Sequence, residues 1–112
     1  LVGNWVPPVD VVEDKDRVRI MAELPGVKPE DVKISLENNV LTIRGEKLQQ
    51  REENSDRAHR YERAFGAFER SFTVPNSVDA ERISAGYEQG VLTVTLPKAD
   101  EVKPKTINIK AK

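Results

Sequence analysis

Cysteine is absent from this 112-residue chain. That excludes disulfides, thiol catalysis and cysteine-ligated zinc, and it fits a reducing, cytoplasmic setting. Histidine occurs once, as His59, so no histidine pair stands at ligand spacing. Aromatics make up only 5% of the residues, which leaves little for the stacking platform of a carbohydrate-binding sandwich. No apolar run approaches a membrane span, and the first residues do not read as a secretory leader. Neither sign of charge dominates: 18 basic residues stand against 19 acidic ones, for a net charge of −1. Such a balance gives no electrostatic pull toward nucleic acid or an anionic membrane.

What is present is a single domain's worth of chain with a modest core. Hydrophobic residues make up 38%, low for a self-contained globule, so part of the apolar surface is expected to be completed by a partner chain. Alternation with period 2 carries the fold. In Gly90-Val91-Leu92-Thr93-Val94-Thr95-Leu96-Pro97-Lys98, Leu92, Val94 and Leu96 share one face of a strand, with Val91, Thr93 and Thr95 on the other. Pro97 ends the strand because it lacks the ladder N–H. Ile83-Ser84-Ala85-Gly86-Tyr87-Glu88 also alternates, which makes a hairpin turning at Gln89-Gly90.

The rest of the chain repeats this grammar. Residues 1–8 form an extended lead-in with Pro7 and Pro8; its Trp5 either packs on the domain or anchors a preceding arm. Val9-Asp10-Val11-Val12 is a short strand candidate. Asp14 and Asp16 have the spacing of a calcium loop without its glycine or terminal glutamate, and metal binding is not expected. From Arg17 to Leu24, Val18, Ile20, Ala22 and Leu24 point one way and Arg17, Arg19, Met21 and Glu23 the other. Lys28-Pro29-Glu30-Asp31 suits one helical turn. Val32, Ile34 and Leu36 alternate, and Asn38-Asn39 returns the chain into Val40-Leu41-Thr42-Ile43. Ile-Ser followed by Val-Leu-Thr occurs in both hairpins, which read as related units packed face to face. Residues 45–63 break the pattern: they are densely charged, with Leu48 almost the only large aliphatic, and read as a long solvated loop. Ala58-His59-Arg60-Tyr61-Glu62-Arg63 at its end suits either a short exposed strand or a floppy insertion.

Phe68, Arg70, Phe72 and Val74 share one face of the next strand. An arginine on an apolar face must reach the sheet margin or find carboxylates or carbonyls. The two readings are a snorkelling side chain and a paired arginine at a subunit interface; the second suits the bidentate guanidinium better. After a charged tether from Ala99 to Lys105, Ile107-Asn108-Ile109 presents two isoleucines on one side of an extended segment. On its own it is either one more strand, a free tail or a docking peptide.

Ala85, a short polar turn, Gly90-Val91-Leu92 and then Leu96-Pro97 resemble the signature of the α-crystallin domain of small heat-shock proteins, with Gln89 where that family usually has asparagine. The resemblance extends from about Trp5 to Ile109. It implies an all-β, immunoglobulin-like sandwich of about seven strands spanning 9–98. It implies that a variable N-terminal arm precedes a chain that opens at Leu1 rather than Met, and that 99–112 is a C-terminal tail. It implies a homodimer in which His59, Arg60, Tyr61, Glu62 and Arg63 pair with Val9, Val11 and Val12 of a second subunit, with Arg70 at the same interface. Ile107 and Ile109 would dock into a groove lined by Ile34, Leu36, Ile83 and Ala85 of a neighbour, building larger oligomers. The implied activity is that of an ATP-independent holdase for non-native client proteins, with no cofactor. A CS-type co-chaperone domain, monomeric on the same sandwich, is the alternative; the long loop and the Ile-x-Ile tail argue against it. Catalysis is not expected. Gly45-Glu46-Lys47 lacks the first glycine and the Ser or Thr of a phosphate loop, and no serine occupies a nucleophile elbow.

Overall fold

A computed structural model describes residues 5–47, 66–99 and 107–110. Among them seven strands form: β1 (Val9–Glu13), β2 (Arg17–Glu23), β3 (Val32–Glu37), β4 (Val40–Lys47), β5 (Gly66–Thr73), β6 (Ser84–Glu88) and β7 (Val91–Pro97). They make a four-stranded sheet in the order β1-β2-β7-β6 and a three-stranded sheet in the order β3-β4-β5. Every pairing is antiparallel. The expected all-β sandwich is the observed architecture.

The core follows from strand parity. Val18, Ile20 and Ala22 of β2 stand opposite Leu96, Val94 and Leu92 of β7, and all six are buried. Leu41 and Ile43 of β4 and Phe68 of β5 join them from the smaller sheet, with Leu24, Val27 and Val74 at the strand exits. The alternate residues of β2 and β7 point away from this layer, as a strand's pleat requires.

Two hairpins close with both turn residues in the left-handed region: Asn38 (φ 51°) and Asn39 (φ 63°) between β3 and β4, Gln89 (φ 52°) and Gly90 (φ 78°) between β6 and β7. That backbone matches the twist of the flanking strands, and asparagine and glycine adopt it at least cost. The two hairpins lie in different sheets, as their shared apolar faces demand. Asp14 turns β1 into β2 by accepting from the amides of Asp16 (2.8 Å) and Arg17 (3.0 Å) through Oδ1. Those amides hold its carboxyl below the ordinary range, and the spacing that resembled a calcium loop is that of a turn. Lys98 staples the far end of β7 to this turn, donating from Nζ to Glu13 Oε2 (2.8 Å) and to the Asp14 carbonyl (2.7 Å).

One boundary differs from the sequence reading. Gly45, Glu46 and Lys47, expected to open the long loop, continue β4 opposite Phe68, Ala67 and Gly66. Glycine is a weak strand former, but here the missing side chain makes room for the Phe68 ring. A Cβ at Gly45 would collide with the Asp31 carbonyl oxygen and lie 2.9 Å from the ring. The remainder of that stretch, 48–65, is outside the described residues.

Gly45→Ala is expected to destabilise the domain by about 1–3 kcal/mol through overpacking. Gly86→Ala, where an added Cβ meets nothing within 4 Å, should stay within about 0.5 kcal/mol of the parent. Urea unfolding followed by circular dichroism compares the two, and equal midpoints would contradict the packing account.

Candidate functional site

The two sheets do not meet along every edge. On one side, the outer strand of the smaller sheet, β3, runs beside the outer strand of the larger, β6. A cavity of about 250 Å³ opens between them, lined by Pro29, Val32, Ile34, Ala85, Gly86, Tyr87 and Leu92. The small residues Ala85 and Gly86 leave it open, and Ile34, Val32 and Leu92 make its floor and wall apolar. Of the four groove residues expected from sequence, Ile34 and Ala85 come together here. Leu36 and Ile83 pack half-buried against the core and do not line this cavity. Val32 and Tyr87 were missed. The hairpin register held the signal, since Tyr87 stands opposite Leu92 and shares the inward parity of Ala85. The Tyr87 hydroxyl donates to the Leu24 carbonyl, which holds the ring at the cavity's end.

Ile107 and Ile109 lie in a segment without regular secondary structure and are 85% and 94% exposed. The chain therefore carries an apolar cavity between β3 and β6 and, separately, two exposed isoleucines, Ile107 and Ile109. Ala99, where the tether leaves the sandwich, is held by its amide to the Ser77 carbonyl (2.7 Å).

At the opposite side, β1 is the outer strand of the larger sheet and pairs only with β2 among the described residues. Val9 and Val11 stand opposite Ala22 and Ile20 and so face inward. Val9 packs on the core, but Val11 is 49% exposed and Val12, on the outer face, 40%. An unpaired ladder edge with exposed valines is a template for another strand. His59, Arg60, Tyr61, Glu62 and Arg63 lie outside the described residues.

Arg70 occupies the inward face of β5 opposite Ile43, as parity required. Its Nη1 donates to the carbonyl of Pro7 (2.8 Å), and its guanidinium lies 5.2 Å from the Phe72 ring centre. The sequence demanded a carbonyl or a carboxylate, and the lead-in supplies the carbonyl within the same chain. Trp5 packs on the domain: its ring meets Phe68 edge-on at 5.3 Å, its Nε1 donates to the Gly66 carbonyl (3.1 Å), and Lys47 Nζ sits 5.3 Å from the ring centre. Pro7 is fully buried.

Among the described residues no three His, Cys, Asp or Glu side chains converge as a metal cage, and no helix is long and apolar enough to cross a membrane. What the geometry offers is a strand edge and apolar clefts, the kinds of feature on which extended polypeptides dock in general.

Comparison with known proteins agrees with the architecture. Residues 10–110 match the model of the Hsp20/alpha crystallin family. Spore protein SP21 of Stigmatella aurantiaca is 40% identical over 105 residues, covering 94% of this chain and 62% of that protein; the chain thus spans less than two thirds of that relative. Heat shock protein 16.0 from Schizosaccharomyces pombe superposes with a TM-score of 0.82 at 44% identity, over 95% of this chain and 99% of that one. A small heat-shock protein from Xylella fastidiosa, described as having a distinct high order structure, superposes with a TM-score of 0.79 at 34% identity, over 96% and 98% of the two chains.

Proposed function

The chain belongs to the Hsp20/alpha crystallin family, and we propose on that footing that it is an ATP-independent holdase, one that captures partly unfolded proteins before they aggregate. The observation that carries this reading is the pairing, in one chain, of an open apolar groove between β3 and β6 with two exposed isoleucines on a tether. A groove and a plug of matching character make a self-assembling unit whose apolar surface is covered at rest and uncovered on exchange. Capture is then competition: exposed apolar segments of a client meet the chaperone before they meet each other.

The proposed groove comprises Ile34, Leu36, Ile83 and Ala85, with Ile107 and Ile109 of a neighbouring chain as its resting occupants. The eight residue steps from Ala99 to Ile107 span at most roughly 28 Å when extended, which bounds how far a neighbour's groove can lie. Energetics make the contact reversible. Burying two isoleucines contributes roughly 1.5–3 kcal/mol each, against about 1–2 kcal/mol for each backbone residue ordered. A single contact is weak, and many in one assembly hold by effective concentration.

The proposed building block is a homodimer in which residues 59–63 of one subunit add to the free edge of β1 in the other, covering Val11 and Val12. Arg70 serves that interface by fixing Pro7, two residues before β1 begins. A cytoplasmic setting is proposed, and a chain without cysteine fits it. No nucleic acid, membrane or cofactor enters the scheme.

The test is light scattering of a thermally unfolding model client, without nucleotide. The full-length protein should suppress aggregation at near-stoichiometric subunit ratios, and aggregation proceeding unhindered would refute the reading. In the full-length protein, Ile107→Ala with Ile109→Ala is expected to leave dimers while removing larger species; an unchanged particle mass in native mass spectrometry would rule out tail docking. Removing residues 48–63 should yield monomers, and a dimer that survives would move the interface elsewhere.

A further inference from the structure

The lead-in from Trp5 to Pro8 is not part of either sheet, yet it closes the β1/β5 side of the sandwich. Four hydrogen bonds hold it. The Trp5 amide donates to the Ala67 carbonyl (3.2 Å) and the Trp5 Nε1 to the Gly66 carbonyl (3.1 Å). Arg70 Nη1 donates to the Pro7 carbonyl (2.8 Å), and the Glu23 amide to the Pro8 carbonyl (3.0 Å). Apolar contact comes from Trp5 against Phe68 and from Pro7, which is buried, while Val6 between them is 75% exposed.

Three of the four hydrogen bonds engage only the lead-in's backbone, and the side-chain contacts ask for an aromatic ring and a proline. The Gly66 and Ala67 carbonyls accept from any N–H. Arg70 donates to any backbone carbonyl. Phe68 takes any aromatic edge. The buried position between them suits a residue without an N–H to satisfy, which is what Pro7 is. We propose that this cleft is a second polypeptide-binding site, that Trp5–Pro8 fills it as an internal stand-in ligand, and that its partner in solution is an extended client segment with an aromatic residue two positions before a proline. The proposal rests on the holdase reading and adds to it a site distinct from the β3/β6 groove, on the other side of the sandwich. Because the stand-in is tethered to β1, it competes at high effective concentration and keeps the cleft shut until it is displaced. A client's apparent affinity then scales with the fraction of molecules whose lead-in has left.

The probe is a dye-labelled peptide with the sequence of residues 3–9, read by fluorescence anisotropy against the full-length protein. Trp5→Ala loosens the stand-in and should tighten peptide binding about ten-fold. Adding Arg70→Met should return binding to the parent level, with Arg70→Lys restoring part of the gain. A second probe, the same peptide with alanine for its tryptophan, leaves the protein untouched and should bind Trp5→Ala more weakly than the first probe does, because it lacks the ring that meets Phe68. Equal affinity of the first probe for Trp5→Ala and the parent would overturn the proposal, as would an alanine probe that binds Trp5→Ala as tightly as the first probe does. Light scattering on the same samples separates the two levels. A parent that suppresses aggregation while the peptide results fail sinks the cleft and leaves the holdase reading intact. A parent that suppresses nothing sinks the holdase reading, and the client role of the cleft with it.

Discussion

Ile20 and Val94 stand side by side at the centre of the four-stranded sheet, both without solvent exposure. The rest of the molecule depends on that pairing being in register. With Val18 against Leu96 and Ala22 against Leu92, the β2–β7 pair presents one continuous apolar layer to the smaller sheet. A slip of one residue would bring Arg19, Met21 and Thr93 into it. The register is fixed at both ends by chemistry outside the core. At one end the Leu24 amide donates to the Gly90 carbonyl (2.7 Å). At the other, the Lys98 amide donates to Asp16 and its ammonium to Glu13 and Asp14.

Unequal sheets then leave open edges. Four strands facing three cannot cover each other completely. On the β6 side the mismatch leaves an apolar cavity between strand edges, walled by Ile34 and Leu92 and kept open by Ala85 and Gly86. On the β1 side Val11 points inward like Val9 but stays half exposed. The lead-in occupies part of that side, with Pro7 as its buried plug and Arg70 as its latch. The arginine that looked anomalous in an apolar row is there because a proline carbonyl is brought in from outside the sheets.

Legibility tracked the range of the interaction. Strands such as β2 and β7 were readable because alternation is local and each position carries a strong signal. The hairpin turns at Asn38-Asn39 and Gln89-Gly90 were readable for the same reason. The parity of Arg70 and its need for an acceptor were also on the page of the sequence, but Pro7 is 63 residues away and no local pattern names it. Gly45 to Lys47 looked like loop because glycine and charge are poor strand signals. Their place in β4 is set by the ladder to β5 and by the Phe68 ring, across a separation the sequence does not display. The lining of the β3/β6 cavity was partly legible: matching positions of two hairpins suggested that Ile34 and Ala85 lie together, while Tyr87 and Val32 enter through register.

On the proposed holdase reading, a chain that offers apolar edges to others must avoid sticking to itself without limit, and the placement of charge answers that need. Val11 and Val12 are flanked on β1 by Asp10 and Glu13, so the edge that invites a strand also carries acids that disfavour an indiscriminate one. The lead-in that covers the β1/β5 side contains two prolines, which cannot extend a ladder to a further chain. The isoleucines of the tail stand among Lys105, Lys110 and Lys112, and cations around an apolar pair hinder tails from clustering with one another. Among the described residues the exposed large apolar side chains therefore sit on short elements, each bordered by charge or proline. Each is weak alone, and strength comes from the number engaged at once. For the proposed holdase, that is the condition under which an assembly would stay soluble and still exchange its contacts for a client's.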